Sequence, residues 1–159
     1  MKILIKNISE DLMDYEGKVD CNVLSNNGDE IKFNDGVKFK GTLRKGEDFV
    51  EISGNAFADF ITACHLCGKD AKGKVEFDIF ETYRREPADE EYELVGNEVD
   101  FDNMILENVR LNLPVKILCK EDCKGVCPIC KKDLNDGPCD CNISDDKNSP
   151  FDVLKKLLD

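Results

Sequence analysis

The chain has 159 residues, of which 35% are charged and 41% are hydrophobic, and its formal net charge is −12. This length suits one domain, or one domain with a small appendage, and it can bury about two thirds of the surface of the unfolded chain. Because so acidic a surface repels phosphate backbones, broad nucleic-acid binding is disfavoured, whereas a basic protein partner is compatible with it.

The first half of the chain is predicted to form β-strands. Residues 2–8 are rich in apolar side chains, and residues 18–24 and 31–43 have alternating or β-branched patterns. The Asp-Gly dipeptide at 35–36 predicts either a hairpin turn or a bulge in one longer strand. Between the first two segments, Ser9 is expected to cap a single helical turn.

Residues 48–84 contain two apolar-rich stretches joined by a short polar region. In the second stretch Val75, Phe77 and Ile79 recur at every second position, and this period predicts one buried face. The segment is therefore predicted to be a pair of antiparallel strands, with the Cys-x-x-Cys motif at 64–67 at the tip between them.

Residues 86–107 hold nine acidic side chains and no basic one. Such a run is either a solvated loop or a docking face for a basic partner. In the second interpretation the partner would bind four central carboxylates, and these are Glu90, Glu91, Glu93 and Glu98.

One helix is predicted near residues 102–113, with Asp102 as its N-cap and Pro114 directly after its end. Its apolar residues follow at helical spacing, and they are Ile105, Leu106, Val109 and Leu113. A second short helix is predicted near the C-terminus, where Ser149 and Pro150 precede a run of apolar side chains.

Eight of the nine cysteines form close pairs, and these are Cys64 and Cys67, Cys119 and Cys123, Cys127 and Cys130, and Cys139 and Cys141. The expected location is the reducing cytoplasm, because no signal peptide and no membrane-length apolar stretch is evident. There, closely paired cysteines indicate metal or redox chemistry rather than disulfides. Four pairs supply the ligands of two tetrahedral zinc ions. Cys21 stands apart and is expected to be an ordinary free thiol.

Intact pairs can share metals in three ways. A short loop favours one local site, called site one, made of Cys127, Cys130, Cys139 and Cys141. Site two would then consist of Cys64, Cys67, Cys119 and Cys123. The alternative is a single zinc ion on four of the six C-terminal cysteines, which would leave the 64–67 pair as a free dithiol. Two zinc ions are expected, and one is the alternative.

The sites are predicted to be structural, and the protein is predicted not to be an enzyme. A redox dithiol usually lies at a helix N-terminus, whereas the residues after Cys67 predict a turn into a strand. A closed shell of four thiolates leaves no position for a substrate water. His65, the only histidine, is expected to be an exposed spacer. No small-molecule substrate is evident.

The cysteine-rich stretch at 118–130, Leu-Cys-Lys-Glu-Asp-Cys-Lys-Gly-Val-Cys-Pro-Ile-Cys, resembles the YceD-like family, the large ribosomal RNA subunit accumulation proteins. Asp-Leu-Asn at 133–135, Cys-Asp-Cys at 139–141, Cys-x-x-Cys at 64–67 and the terminal residues 149–157 extend the resemblance. It implies a bacterial cytoplasmic protein that supports the synthesis, processing or stability of large-subunit ribosomal RNA, without known catalytic activity.

Two positions depart from the family pattern. Leu66 stands where the family often has arginine, and Lys131 stands where it often has glycine. If that arginine contacts RNA in the family, the contact is missing here. The cysteines themselves are all present.

The sequence thus predicts an α+β fold, predominantly antiparallel β with a few short helices, followed by a cysteine-rich zinc-bound segment. The β domain spans 1–114, and the cysteine-rich segment with its C-terminal helix spans 115–159. The leading hypothesis is a non-enzymatic ribosome-biogenesis factor that binds a large-subunit precursor or a basic ribosomal protein, with direct RNA contact left open. The alternative is a cytosolic thiol redox or metal-handling protein that uses Cys64 and Cys67.

Overall fold

The computed structural model describes residues 2–26 and 28–141, and these form nine strands, one 3₁₀ turn (Ile5–Asn7) and one α-helix, α1 (Phe101–Asn112). The strands are β1 (Lys2–Leu4), β2 (Met13–Val19), β3 (Val23–Asn26), β4 (Asp29–Phe33), β5 (Val37–Lys45), β6 (Phe49–Ala63), β7 (Asp70–Arg84), β8 (Tyr92–Glu93) and β9 (Glu98–Asp100). The C-terminal helix predicted from residue 149 onward lies outside the described residues.

A long hairpin of β6 and β7 is the centre of a seven-stranded sheet. Its strands pair antiparallel over their full length, from Phe49 opposite Arg84 to Ala63 opposite Asp70. The predicted hairpin is therefore confirmed, including the position of the first cysteine motif at its tip. Successive side chains of a strand point to opposite faces, so Val75, Phe77 and Ile79 lie on one face of β7, and all three are buried.

The other edge of β6 is shared by two shorter units. One half pairs with β5, which pairs in turn with β2, and the half near the tip pairs with β4, which pairs with β3. Between the pairs Phe33–Phe60 and Lys38–Phe57, the β4–β5 side has four residues and β6 has two. The Asp-Gly dipeptide therefore interrupts one longer strand, as the bulge alternative predicted. Gly36 is required there, since its φ is 59° and a Cβ would lie 2.3 Å from the Val19 carbonyl oxygen.

The core lies between the buried face of this sheet and α1, with a small second sheet of β1 and β9 at the start of the helix. Phe101, fully buried in the first turn of α1, packs edge-on against Phe39 with ring centroids 5.1 Å apart. Tyr15 contacts the same ring at 5.4 Å. Aromatic side chains bury large apolar areas, so this cluster fixes the helix on the sheet.

Among the described residues, the fold is mostly antiparallel sheet with one α-helix, which confirms the predicted β-rich architecture and matches the α+β class only loosely. The pair of β7 and β8 is parallel. No helix in the described ranges is long and apolar enough to span a membrane.

Three boundary predictions were wrong. The segment 18–24 is not one strand, because the chain turns between the end of β2 and the start of β3. Ser9 begins no helix. Its Oγ accepts from the Asp11 N–H, and the chain then enters β2, which is extended because it pairs with β5. The N-cap of α1 is Asp100, whose side chain accepts from the Asn103 N–H at 3.2 Å, so Asp102 lies in the first turn.

Candidate metal centres

The structure brings the eight paired cysteines into two groups of four. The members of the groups are Cys64, Cys67, Cys119 and Cys123, and Cys127, Cys130, Cys139 and Cys141. Within each group all Sγ atoms lie within 4.8 Å of one another. The first set has the members predicted for site two, and the second has those predicted for site one.

The spacing of the sulfur atoms suits a tetrahedral ion. Four thiolates at about 2.3 Å from zinc are about 3.8 Å apart. In site two, Cys64 and Cys123 have Sγ atoms 3.8 Å apart, and those of Cys67 and Cys119 are 3.5 Å apart. The donor set and its dimensions therefore fit zinc, and Cys64 and Cys67 are not an isolated dithiol.

The first Cys-x-x-Cys turn is closed by two backbone hydrogen bonds. The Cys64 N–H donates to the Lys69 carbonyl at 2.8 Å, and the Gly68 N–H donates to the Cys64 carbonyl at 2.9 Å. Gly68 has φ 73°, a left-handed conformation that glycine adopts without cost. This geometry turns the chain sharply from β6 into β7.

The second turn repeats the first. The Cys127 N–H donates to the Lys132 carbonyl at 2.8 Å, and the Lys131 N–H donates to the Cys127 carbonyl at 2.9 Å. Lys131 has φ 60°, so a lysine occupies the left-handed position that glycine fills in the first turn. A side chain there costs about 1 kcal/mol, so the departure from the family pattern is a conformational strain.

Backbone dipoles stabilise one thiolate in each group. The N–H groups that point at the Cys64 Sγ belong to Cys119, Leu66 and Cys67. Burial raises the pKa of Cys64, but these donors outweigh it and lower the pKa to about 6. In site one the backbone N–H of Cys130 is the main cause that lowers the pKa of Cys127 to about 6.

One further thiol in each group has a raised pKa, because neighbouring thiols crowd it. Hydrogen bonding with the Cys67 thiol is the main cause that raises the pKa of Cys119 to about 12. In site one, the Cys130 thiol raises the pKa of Cys141 to about 12. Four thiolates can therefore coexist in either group only with a cation to balance their charge.

His65 is more than an exposed spacer. Its side-chain Nδ1 accepts from the Ile117 backbone N–H at 3.2 Å, and the His65 backbone N–H donates to the Ile117 carbonyl at 2.9 Å. Its Nε2 lies 3.0 Å from Asp29, and only 24% of the side chain is exposed. His65 thus ties the hairpin tip to the segment after α1.

Two residues between the groups received no role in the sequence interpretation. The Asp133 carboxylate lies 2.6 Å from the Lys69 ammonium and accepts hydrogen bonds from Asn135. The Asn135 side chain in turn donates to the Cys123 Sγ at 3.5 Å. Their only signal in the sequence is the Asp-Leu-Asn motif at 133–135, which belongs to the family resemblance.

The four acidic residues predicted to bind a partner have different surroundings. Glu91 accepts hydrogen bonds from the Ala88 N–H and from the Arg84 side chain, and both lower its pKa. Glu98 lies 3.5 Å from Lys2. Within the described ranges Glu90 and Glu93 form no ion pair, so they are the freer carboxylates.

Cys21 lies outside both groups. It is half-buried, and its thiol donates to the Val23 carbonyl at 3.4 Å. It is the ninth cysteine and has no second thiol beside it among the described residues.

Comparison with known proteins gives this arrangement a family. The profile of the family described as large ribosomal RNA subunit accumulation protein YceD matches residues 52–158, a range that includes all eight paired cysteines. The chain is also similar to uncharacterized proteins of Mycobacterium bovis and of two strains of Mycobacterium tuberculosis, each 29% identical over 97 residues. The matched part is 56% of this chain and 47% of each relative, so the chain spans about half the length of the curated relatives it matches.

No solved structure matches the chain. Because the family profile covers well over half of the residues, the assignment does not depend on those distant relatives. The chain belongs to the YceD family of large ribosomal RNA subunit accumulation proteins.

Proposed function

We propose that this protein supports the accumulation of large-subunit ribosomal RNA in the cytoplasm as a zinc-stabilised binding module, without catalysing a reaction. The observation that carries this proposal is the family match over both four-cysteine groups. The family description names accumulation of the RNA and no chemical transformation.

Each group would hold one zinc ion. Zinc supplies positive charge that allows four neighbouring thiols to ionise together. In site two the ligands from the hairpin tip, Cys64 and Cys67, would be joined to Cys119 and Cys123 after α1. Because all four positions would be protein thiolates, the ion would hold the structure together rather than activate a water.

The proposed partner is a basic ribosomal protein or a precursor of the large subunit, bound through the acidic face that includes Glu90, Glu91, Glu93 and Glu98. The net charge of −12 supports a basic partner. Glu90 and Glu93 are expected to contribute most to this binding, since Glu91 is already paired with Arg84 and Glu98 with Lys2.

Sedimentation through a sucrose gradient tests this function. In lysates of growing cells the tagged protein should migrate with large-subunit precursors in a low-salt gradient. In a high-salt gradient it should separate from them, because salt screens an electrostatic contact. Glu90→Gln with Glu93→Gln should weaken co-migration. Glu10→Gln with Glu47→Gln, which removes the same charge from exposed sites elsewhere, should not.

Two results would contradict the proposal. One is a wild-type protein that stays at the top of the gradient at every salt concentration. The other is an unchanged ratio of large- to small-subunit ribosomal RNA in cells from which the protein has been removed.

Use of Cys64 and Cys67 as a redox dithiol is the weaker alternative. Only 3% of Cys64 is exposed, so a substrate disulfide has little access to its sulfur. The thiols of Cys123 and Cys119 also lie within 3.8 Å and 3.5 Å of this pair.

A further inference from the structure

The loop closed by site one reaches a ligand of site two. Asn135 lies in the sequence between Cys130 and Cys139, both members of site one. Its Nδ2 nevertheless donates to the Sγ of Cys123, a member of site two, at 3.5 Å. Its Oδ1 accepts from the backbone N–H of Lys124, the residue after Cys123, at 3.0 Å.

Asp133 fixes the orientation of that amide. Its Oδ1 accepts from the Asn135 backbone N–H at 2.8 Å and from the Asn135 Nδ2 at 2.7 Å. The Cys-x-x-Cys turns at 64–67 and 127–130 are called the first and second knuckle. The Asp133 Oδ2 lies 2.6 Å from the ammonium of Lys69, two residues after the first knuckle. Only 15% of the Asp133 side chain is exposed, so this contact is partly shielded from solvent.

Backbone contacts connect the same two regions. The Val126 N–H, directly before the first cysteine of site one, donates to the Leu66 carbonyl inside the first knuckle at 3.2 Å. Gly125 has φ 71°, and a Cβ there would lie 2.9 Å from the same Leu66 oxygen. The Leu134 N–H donates to the Gly125 carbonyl at 2.9 Å. The two knuckles are thus packed against each other.

We propose that the two metal sites are thermodynamically coupled through Asp133 and Asn135, so that filling either site raises the affinity of the other for zinc. This rests on the proposed zinc binding. A metal in site one orders the loop that carries Asn135, so the hydrogen bond to Cys123 needs less further ordering. By linkage the effect is reciprocal, and coupling of this kind is typically about 5- to 150-fold.

Zinc titration against a chromophoric chelator at fixed pH measures the coupling. Cys139→Ser with Cys141→Ser leaves site two alone, and Cys64→Ser with Cys67→Ser leaves site one alone. The overall two-zinc constant of the wild type should exceed the product of the two single-site constants by about 5- to 150-fold. Asn135→Ala, introduced into all three proteins, should lower that ratio, because the hydrogen bond to Cys123 is lost while the contact of Lys69 with Asp133 remains.

Asp136→Ala is the matched control, since Asp136 lies in the same turn but is 71% exposed and approaches Lys69 only at 4.0 Å. It should keep the wild-type ratio. A second measurement avoids the cysteine variants: zinc release to excess chelator should be one phase in the wild type and two phases in Asn135→Ala.

The outcomes separate this inference from the function on which it rests. A wild type that binds two zinc ions with a constant equal to the product, and releases them in two phases, overturns the coupling alone. A wild type that binds no zinc overturns both the coupling and the proposed zinc binding.

Discussion

Lys131 in the second knuckle and Gly68 in the first have the same left-handed backbone, with φ of 60° and 73°. The two turns have the same pattern of backbone hydrogen bonds. The closed turn therefore holds the lysine in this conformation. Only Lys131 carries a Cβ in this conformation, so its strain can be measured by substitution.

Lys131→Gly should stabilise the metal-loaded protein by about 1 kcal/mol, because it removes the steric cost of a Cβ at positive φ. Thermal or denaturant unfolding at saturating zinc measures the change. Lys132→Gly is the control, since Lys132 is the neighbouring residue and has no positive φ. An equal effect of the two substitutions would refute the strain interpretation.

Purified protein should contain about two zinc ions per chain, measured by elemental analysis without added metal. About one thiol, that of Cys21, should react quickly with a thiol reagent, since bound thiolates are protected. Chelation should expose the other thiols and speed proteolysis after residue 115, because structural zinc contributes roughly 10–16 kcal/mol of apparent binding energy. A count of about three fast thiols with zinc bound would favour a free dithiol at 64–67.

His65→Ala should destabilise the protein by about 1–3 kcal/mol, because the Ile117 N–H loses its acceptor. Urea unfolding at fixed zinc measures the loss. Asp29→Asn removes only the charge opposite the imidazole and should cost less. If both substitutions have the same effect, the contact of His65 Nε2 with Asp29 rather than the Ile117 hydrogen bond holds the tip.

Stability should fall as the pH rises above about 10. Burial raises the pKa of Tyr83 above its ordinary value of 10.0, and its hydroxyl donates to the Asp100 carbonyl at 2.9 Å. The unfolded chain releases this proton near pH 10 and the folded chain retains it, so rising pH favours unfolding. The loss is absent below pH 10 and grows above it.

Denaturant unfolding between pH 8 and pH 11, with absorbance of the tyrosinate, follows this effect. Tyr83→Phe should cost about 1 kcal/mol at pH 8, since the hydrogen bond is lost, and should flatten the decline at high pH. Burial raises the pKa of Tyr15 as well, but less strongly, so Tyr15→Phe should flatten the decline less than Tyr83→Phe. An unchanged pH profile in Tyr83→Phe would show that other groups cause the decline.

The hairpin of β6 and β7 could be predicted because its signal is local: alternating apolar residues on both sides of a turn. The N-cap was misplaced because Asp100 and Asp102 are both good caps, and only the contact of Phe101 with the sheet selects the first. Ser9 was assigned to a helix because its sequence fits a cap, whereas pairing of β2 with β5 decides the outcome.

The short loop between the pairs at 127–130 and 139–141 predicts site one. Site two is then predicted from the two cysteine pairs that remain. The contact of Asn135 with Cys123 and the ion pair of Lys69 with Asp133 had no such signal. Both contacts join residues that come close only when the hairpin tip packs against the segment after α1. Sequence spacing can therefore indicate ligands before it can indicate the side chains that connect them.

The hairpin also determines how the molecule would respond to a pulling force. Strands of fifteen residues extend for about 50 Å, and here the tip carries two cysteines while the base is packed against α1. A partner that pulled on the cysteine-rich segment along this axis would load the hydrogen bonds between β6 and β5 together, in shear, rather than one after another. Because those hydrogen bonds would share the load, the hairpin would resist such a force without unzipping.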